Sequence, residues 1–510
     1  MDADAVVVGA GHNGLVAACL LAQRGRRVVM LERADIVGGA CVTEELIPGY
    51  RVSTAAYSFS LFRPEILAAL DLPRYGLSWY PKEPRMFVPL GDGRHFFVWR
   101  DAARTTEQIA RIHPGDADAY GRWNAFWDEV ADVVRPLILD EPPALRVLED
   151  RLERQGKGEL FRLAIAASAA ETVETFFDSD EVRGAFVGQG IIGTAAGPRT
   201  PGTAFVMTYH AFGGDLVDGA GTWAYVRGGM GSVTQALAAC ARDLGVEVRT
   251  GSSVEAVLVE DGRAVGVALA GGEDVRARTV LSNADPKRTY LSLVDPGALP
   301  DSFIERVHAL PTPGSVVKVN LALDELPDFA SCGVPGFEPG PQHAGTIEIS
   351  PSIDALERAW AEADAGGPSA EPFMEVFIQS VTDDSLAPQG KHVASCFAQY
   401  APDVDADTWE GMRETAGDAV VRTLARYAPN IERAVAHRQV LGPPDLEARF
   451  GLTGGNIFHG EILPGQIFGE RFGARSPIPG LYLCGSGAHP GGGVCGAPGW
   501  NAARAVLEDG

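Results

Sequence analysis

The sequence has 510 residues, of which 46% are hydrophobic and 22% are charged, and its formal net charge is −24. These values are typical of globular proteins, and the length suffices for roughly two to four domains. The acidic balance argues against nucleic acid as a partner and against docking of a polybasic patch on an anionic membrane, because both need clustered cations.

The seven cysteines are scattered and include no CxxC pair, so we expect neither a disulfide framework nor a metal site. The first residues, MDADAVVVGAG, lack the basic segment of a signal peptide, and no run of about 18 apolar residues is present. We therefore expect a cytoplasmic protein whose contact with membranes is at most peripheral and weak.

The first predicted elements are a strand at 5–8, a helix at 15–22 and a second strand at 26–31, which together form a β-α-β unit. The first strand is a short, continuous apolar run, as found in parallel sheets that are buried on both faces. Units of this kind form the core of dinucleotide-binding domains.

Three glycines, Gly9, Gly11 and Gly14, lie between the first strand and the helix and match the pattern GxGxxG. The first glycine allows a tight turn, the second lets the backbone approach a pyrophosphate, and the third lets the helix pack closely on the strand. Glu32 stands at the end of the second strand, where a carboxylate can bind ribose hydroxyls. Together these features predict that the unit binds a dinucleotide.

Two sequence patterns alternate along the rest of the chain. Residues 35–75 are rich in Gly, Pro and Ser and are predicted to be irregular, whereas 76–222 combines short strands with long helical periodicity. An α/β pattern returns at 223–300. It begins with a predicted strand at 222–226 and includes a hairpin whose turn is Asp261-Gly262.

The predicted strands between 301 and 440 belong to one antiparallel sheet and lie at 315–323, 346–349, 373–379 and 392–400. A loop-rich stretch then leads to a strand at 480–484, a glycine-rich loop and a last helix. From this alternation we infer two interleaved domains. Residues 1–75, 223–300 and 440–510 form the dinucleotide-binding domain, and residues 76–222 and 301–439 form the substrate domain.

A diglycine, Gly38-Gly39, follows shortly after Glu32 and resembles the FAD domain of the glutathione-reductase type. In that type the diglycine loop packs beside the first phosphate loop. The later sequence Gly485-Ser486-Gly487 continues to Pro490, a proline where a helix should begin, so we expect no separate NAD(P)H domain.

The stretch 480–499 resembles the phytoene (carotenoid) desaturase family, in particular its branch of phytoene-dehydrogenase-related oxidoreductases. The segments 201–210, 379–388 and 454–461 also look like signatures of this branch. The resemblance implies an α/β fold in which a Rossmann FAD-binding domain of the glutathione-reductase type is interleaved with a mixed-sheet and helical substrate domain. Cys495 departs from the proline or aliphatic residue usual in carotenoid desaturases, which leaves the substrate open.

The glycine pattern and the resemblance together place FAD on a set of residues spread over both ends of the sequence. These are Gly9, Gly11, His12, Asn13, Gly14, Glu32, Arg33, Gly38, Gly39, Val254, Gly485, His489, Gly493, Val494 and Cys495. The resemblance implies that Val254 meets the adenine through its backbone. His489, inside the glycine-rich loop, is interpreted as a flavin contact and not as a base.

Three residues in family-like segments are candidates for acid/base catalysis: His210, His459 and Glu461. Histidine titrates near neutral pH, and burial can raise the pKa of a glutamate towards it. The alternative for Glu461 is an ion pair with an arginine such as Arg449.

We therefore predict an FAD-dependent oxidoreductase that moves a hydride between an allylic or conjugated C–H bond and flavin N5. The substrate is an apolar small molecule of the polyene, isoprenoid or polyketide type, the reaction is desaturation, and the electron acceptor is oxygen or a quinone. The alternatives are a reductase, isomerase or reductive cyclase on a polyene, a flavin amine oxidase, and a non-enzymatic partner protein stabilised by flavin. The sequence does not determine the oligomeric state.

Overall fold

The computed structural model describes residues 3–213, 216, 223–333 and 338–510. Its strands, labelled β1 to β18 in chain order, are Ala3–Val8, Val28–Leu31, Thr43–Ile47, Tyr50–Ser53, Trp79–Pro81, Met86–Pro89, His95–Val98, Ala224–Val226, Glu247–Arg249, Val254–Glu260, Arg263–Leu269, Asp274–Ser282, Val316–Leu323, Thr346–Ile349, Phe373–Phe377, His392–Gln399, Val435–Leu441 and Leu481–Leu483.

The α-helices, labelled α1 to α17 in chain order, are His12–Gln23, Pro64–Leu70, Ala102–Ile112, Pro114–Val134, Leu145–Arg154, Gly158–Phe161, Ala169–Phe176, Asp180–Val187, Ala204–Ala211, Gly231–Asp243, Asp301–His308, Pro341–Ala344, Ile353–Asp364, Ala406–Ala425, Ile431–Ala434, Pro443–Phe450 and Ala497–Asp509. Within the described ranges, no helix is both long enough and apolar enough to cross a membrane.

The first sheet is built around five parallel strands in the order β18-β12-β1-β2-β9. Its central strand β1 is buried along its length, as the predicted apolar run requires. Strand β12 extends into an antiparallel meander with β11 and β10. The turn residues Asp261 and Gly262 both have positive φ, 49° and 75°, as the predicted two-residue hairpin turn demands. One face of the sheet is covered by α1, α10 and α17, which share an apolar core.

The second sheet has seven strands in the order β17-β13-β16-β15-β14-β6-β7. It contains all four strands predicted between 301 and 440. Its pairs are antiparallel except for β14 with β6, which is parallel, so the prediction of a purely antiparallel sheet was wrong at this position. Strand β6 comes from a segment more distant in the sequence, so no short hairpin imposes an antiparallel direction on this pair.

The two faces of the second sheet differ in chemistry, although both are buried. One face is apolar and packs on α14. The other face contributes apolar side chains such as Phe397 to the core of the helical layer, α4 to α9, and also contains buried Lys318, Glu348 and Glu375. A sheet face covered by helices is normally apolar, so buried polar groups on it need partners or a task. This polar face forms part of the cavity walls described below.

Several boundaries differ from the sequence prediction. The stretch 35–75 is not irregular throughout, because it contains the hairpin β3–β4 and the helix α2. The helix α11 packs against the outer face of the first sheet through Val307, beyond the domain boundary inferred at residue 300. The strand predicted at 222–226 is observed as β8, and Thr222 lies outside the described residues.

Candidate active site

The glycine loop after β1 leaves the start of α1 open. Gly9 has φ +93°, and a Cβ on Gly14 would lie 2.4 Å from the carbonyl oxygen of Gly9, so only glycine allows this approach of helix to strand. Among the described residues, no side chain caps the helix at Gly11, and its first turn contains no acid. The unpaired N–H groups of a helix start, with their partial positive charge, form a binding site for an anion such as pyrophosphate.

Glu32 is held in place by the backbone around it. One carboxylate oxygen accepts from Ala10 N at 2.7 Å and the other from Ala34 N at 2.9 Å. The side chain is buried and lines the cleft beside the glycine loop. Since each carboxylate oxygen can accept a further hydrogen bond, Glu32 retains capacity for ribose hydroxyls.

The cleft at the carboxyl ends of β1 and β2 has a volume of about 280 Å³. Nine of the predicted cofactor residues line it: Gly9, Gly11, His12, Asn13, Glu32, Arg33, Gly38, Gly39 and Val254. Gly38 N donates to Ala10 O at 2.9 Å, so the diglycine loop packs on the phosphate loop as the resemblance implies. On the opposite side, Arg33 donates to the carbonyl of Arg449 at 2.9 Å. The cleft therefore runs from Val254 to the start of α1.

An inner cavity of about 170 Å³ continues from this cleft. The two share His12 and His459 among their walls. Gly493 and Val494, from the C-terminal glycine-rich loop, line the inner cavity as expected for a flavin contact. Most of the other lining side chains are apolar or aromatic: Tyr57, Leu61, Ile192, Tyr209, Val316, Phe397, Leu446, Leu452, Ile457 and Phe458.

Three buried polar atoms on the cleft wall have no hydrogen-bond partner among the described residues: His12 Nε2, Asn13 Oδ1 and His459 Nδ1. Burial lowers the pKa of both histidines to about 4, so they are neutral at physiological pH and offer hydrogen bonds instead of charge. Buried polar atoms are rarely left unpaired in folded proteins, so these atoms fit the contacts of a bound group. The uncapped helix, anchored Glu32 and these atoms together fit FAD in extended form.

Four predicted cofactor residues lie behind these walls. Gly14 and Gly485 serve packing, since a Cβ on Gly485 would lie 2.4 Å from the carbonyl oxygen of Asn283. His489 is buried with Nε2 at 2.8 Å from the carbonyl of Leu137, so this ring fixes the loop to the helical layer. Cys495 is buried and its carbonyl accepts from the backbone N–H of Arg63. Among the described residues that line the three cavities, none of these four appears.

An outer cavity of about 320 Å³ lies beyond the inner one. The two share only His210 and Trp223, whose rings meet edge to face with centroids 5.3 Å apart. The outer walls include Tyr120, Trp123 and Phe186 from the helical layer. The His210–Trp223 pair thus separates a chamber next to the flavin site from a larger chamber within the helical layer.

The three catalytic candidates occupy different places. His459 borders the cleft and the inner cavity, and His210 borders the inner and outer cavities. Burial lowers the pKa of His210 to about 4, so it is neutral at physiological pH. Glu461 lines none of the three cavities within the described residues. Its carboxylate accepts from Ile462 N at 3.0 Å and Ala195 N at 3.2 Å, and Arg449 pairs with Glu44 instead.

Because Glu461 joins two loops through backbone hydrogen bonds, its replacement is expected to affect stability and not the reaction. Glu461→Gln exchanges one acceptor oxygen for an amide that cannot accept, which costs about 1–3 kcal/mol of unfolding free energy. Thermal unfolding should show this loss, while the rate of flavin reduction stays within about twofold of the parent. Glu107→Gln, on an exposed helix position, is the matched control and should change neither quantity. A large loss of rate with unchanged stability would contradict the structural role.

Two buried lysines were not found by the sequence reasoning. Lys318, on β13, lines the inner cavity, and its Nζ donates to Asn320 Oδ1 at 2.6 Å and Ser395 Oγ at 2.5 Å. Lys82 lies behind the wall between the inner and outer cavities and is 1% exposed. The signal available in the sequence was their rarity, because only five of the 43 basic residues are lysine.

The structure also brings His113, Asp116 and Asp178 within 4.8 Å of one another, a spacing that the sequence did not reveal. Asp116 is buried and accepts from Asp178 N, Ser179 N and Ser179 Oγ at 2.7–3.0 Å. These bonds occupy both carboxylate oxygens and explain the cluster as a connection between two helices. It lies away from the three cavities.

Comparison with known proteins identifies the family. The family model described as flavin containing amine oxidoreductase matches residues 14–507. The chain belongs to this family. A rat protein named pyridine nucleotide-disulfide oxidoreductase domain-containing protein 2 is 38% identical over 543 aligned residues, which cover 99% of this chain and 93% of that protein. Hydroxyneurosporene desaturase from Rubrivivax gelatinosus is 26% identical, with 96% and 90% of the two chains covered.

Among solved structures, a triple mutant of putrescine oxidase superposes with a TM-score of 0.65 at 19% identity, covering 100% of this chain and 99% of that one. This likeness shows an α/β fold of the flavin amine oxidase type with mixed sheets. The prediction of an FAD-dependent oxidoreductase is confirmed by the family. The family that is shown is the broad one that includes amine oxidases and carotenoid desaturases, and the finer branch inferred from the sequence does not follow from it.

Proposed function

We propose that this oxidoreductase removes a hydride from an allylic or conjugated C–H bond of an apolar substrate, with net desaturation. The observation that carries the proposal is the wall of the inner cavity. Next to the predicted flavin contacts Gly493 and Val494, this wall is largely aliphatic and aromatic. Such a wall binds a hydrocarbon chain by excluding water from it.

When FAD is bound along the cleft, it supplies the hydride acceptor for the reaction. The groups of the chain then have separate tasks. The start of α1 and Glu32 hold the dinucleotide, while the apolar wall orients the substrate. Lys318 is the side chain on that wall suited to take the proton that accompanies the hydride, because burial lowers its pKa to about 7. Oxygen or a quinone would then accept the electrons.

The relatives support this choice of substrate class. One is named hydroxyneurosporene desaturase, and another, from Castellaniella defragrans and 24% identical over 99% of this chain, carries the name limonene dehydrogenase. We therefore infer a phytoene-desaturase-like reaction, with saturation, isomerisation or reductive cyclisation of a polyene as related alternatives. Amine oxidation is a second candidate, favoured by the buried carboxylate of Glu375 on the outer cavity wall, which is able to hold an ammonium group.

Anaerobic mixing of the FAD-loaded protein with each substrate class will separate these candidates. A conjugated isoprenoid polyene is expected to bleach the oxidised flavin absorbance in a single exponential phase, because hydride transfer reduces the flavin. A primary aliphatic amine at the same concentration should leave the spectrum unchanged. Bleaching by the amine and not by the polyene would replace the proposal with amine oxidation. Photochemical reduction of the same sample confirms that the bound flavin is competent.

A further inference from the structure

The polar face of the second sheet contains four ionisable side chains, each at most 2% exposed: Lys82 packed against it, and Lys318, Glu348 and Glu375 on its strands. A wall that only binds hydrocarbon has no need of them, because burying a charge costs free energy unless it is paired or hydrogen-bonded. Their arrangement therefore calls for a role beyond holding an apolar molecule.

Glu348 and Glu375 lie directly opposite each other on the neighbouring strands β14 and β15. Two carboxylates at this spacing do not both ionise readily when buried, and burial together with their mutual repulsion raises the pKa of Glu348 well above its usual range. Glu348 has both oxygens without a hydrogen-bond partner among the described residues and lines none of the three cavities. Glu375 is the member of the pair that lines the outer cavity.

Glu375 connects the two substrate-side cavities through hydrogen bonds. Its Oε2 accepts from the hydroxyl of Tyr57 at 3.1 Å, and its Oε1 accepts from Gln189 Nε2 at 2.9 Å. Tyr57 lines the inner cavity and Gln189 lines the outer one. The ring of Tyr57 in turn lies 5.9 Å from Lys318 Nζ. A short chain of exchangeable protons thus crosses the wall between the cavities.

Lys82 supplies the positive charge nearest to this carboxylate pair. Its Nζ donates to Ser58 Oγ at 3.2 Å and Thr346 Oγ1 at 3.3 Å, and it lies 4.1 Å from the ring centroid of Phe377. The attraction of both glutamates partly offsets the effect of burial, which lowers the pKa of Lys82 to about 7. A compact ammonium fits this enclosure of hydroxyls and rings, whereas the planar guanidinium of arginine does not.

We propose that Tyr57 and Glu375 form a proton path from the inner cavity to the outer cavity, with Lys82 as the buried counter-charge of Glu375. The inference rests on the proposed function. Formation of a C=C bond breaks two C–H bonds, and one hydrogen leaves as a hydride to the flavin while the other leaves as a proton. That proton passes from Lys318 through the Tyr57 hydroxyl to the Glu375 carboxylate, and from there to water in the outer cavity.

The test uses infrared difference spectra of the FAD-loaded protein before and after photochemical reduction, so it needs no substrate. Reduction places negative charge next to the inner cavity and is expected to draw a proton onto Glu375. The difference spectrum should then contain a protonated-carboxyl band that shifts in D₂O. This band is expected in the parent protein, to be lost in Glu375→Gln, and to be lost or shifted in Tyr57→Phe.

Glu348→Gln is the matched control, because the same substitution is made on the facing strand at equal burial but outside the path. It should retain the band at full size. A band that persists in Glu375→Gln, that disappears in Glu348→Gln, or that is absent from the parent would overturn the proposal. Bound flavin and circular dichroism of each variant show whether the fold is intact.

A second measurement joins the path to turnover. With a substrate that bleaches the flavin, Glu375→Gln should delay proton release to a pH indicator by at least about tenfold relative to bleaching. Failure of every substrate to bleach the flavin would refute the proposed function and leave the infrared result as the independent test of the path. Equal proton release in the variant and the parent would refute the path even if the proposed function holds.

Discussion

Gly11→Glu will yield a folded protein that retains no flavin. Gly11 has φ −69°, which any residue adopts, and a Cβ there would meet only the side-chain amide of Asn283, at 2.6 Å. The backbone therefore tolerates the change, while the new carboxylate enters the cleft where the pyrophosphate would lie. Repulsion between these charges, and loss of the close backbone approach, remove the binding energy that the start of α1 provides.

The ratio of flavin absorbance to protein absorbance after gel filtration and addition of excess FAD measures this effect. We expect it to fall from about one flavin per chain to a level within error of zero. Gly121→Glu, in the exposed middle of α4 with open space around the site of the Cβ, is the control and should retain a full complement of flavin. Flavin retained by the Gly11 variant would refute the assignment of the cleft.

Lys318→Met is expected to slow flavin reduction by substrate by about 100-fold to 10,000-fold while leaving FAD bound. Methionine has nearly the shape of lysine but accepts no proton, and Lys318 lies on the inner cavity and not in the dinucleotide cleft. Stability should not fall, because burial lowers the pKa of the lysine and the charged form therefore costs folding free energy. Lys391→Met, at an exposed lysine paired with Asp324, is the control and should leave the rate unchanged.

The dependence of the reduction rate on pH gives the sign of this role. The neutral amine is the form that accepts a proton, and it predominates above the pKa of about 7. The rate in the parent should therefore rise with pH up to about 7 and level off above it. His210 and His459, with pKa values lowered to about 4, contribute no inflection near neutrality. A profile that is unchanged in Lys318→Met would exclude Lys318 as the proton acceptor.

The dinucleotide cleft was predictable because its features are local in the sequence. Gly9, Gly11 and Glu32 occur within one β-α-β unit, and a short segment fixes both their order and their spacing. The close packing at Gly14 follows from the same pattern. Residues beyond the unit were predicted only through the resemblance, which located Gly493 and Val494 correctly on the inner cavity.

The catalytic wall was not predictable, because strand alternation does not reveal what covers each face of a sheet. Lys318 alternates with apolar neighbours on β13, and such a pattern ordinarily places the polar side in solvent. Helices from a segment far away in the sequence cover that side instead. The same limitation affected His489 and Glu461, whose partners Leu137 and Ala195 belong to the helical layer and are remote in sequence.

The path of the chain through the first sheet has a consequence for synthesis in the cell. Strand β18 completes the parallel sheet beside β12, and α17 packs on α1, where Gly499 lies against the carbonyl oxygen of Asn13. A nascent chain still on the ribosome before residue 480 therefore has a phosphate loop without its neighbouring helix and without a flavin contact at Val494. FAD loading must follow translation of these late segments, and bound flavin then reports that synthesis has passed them.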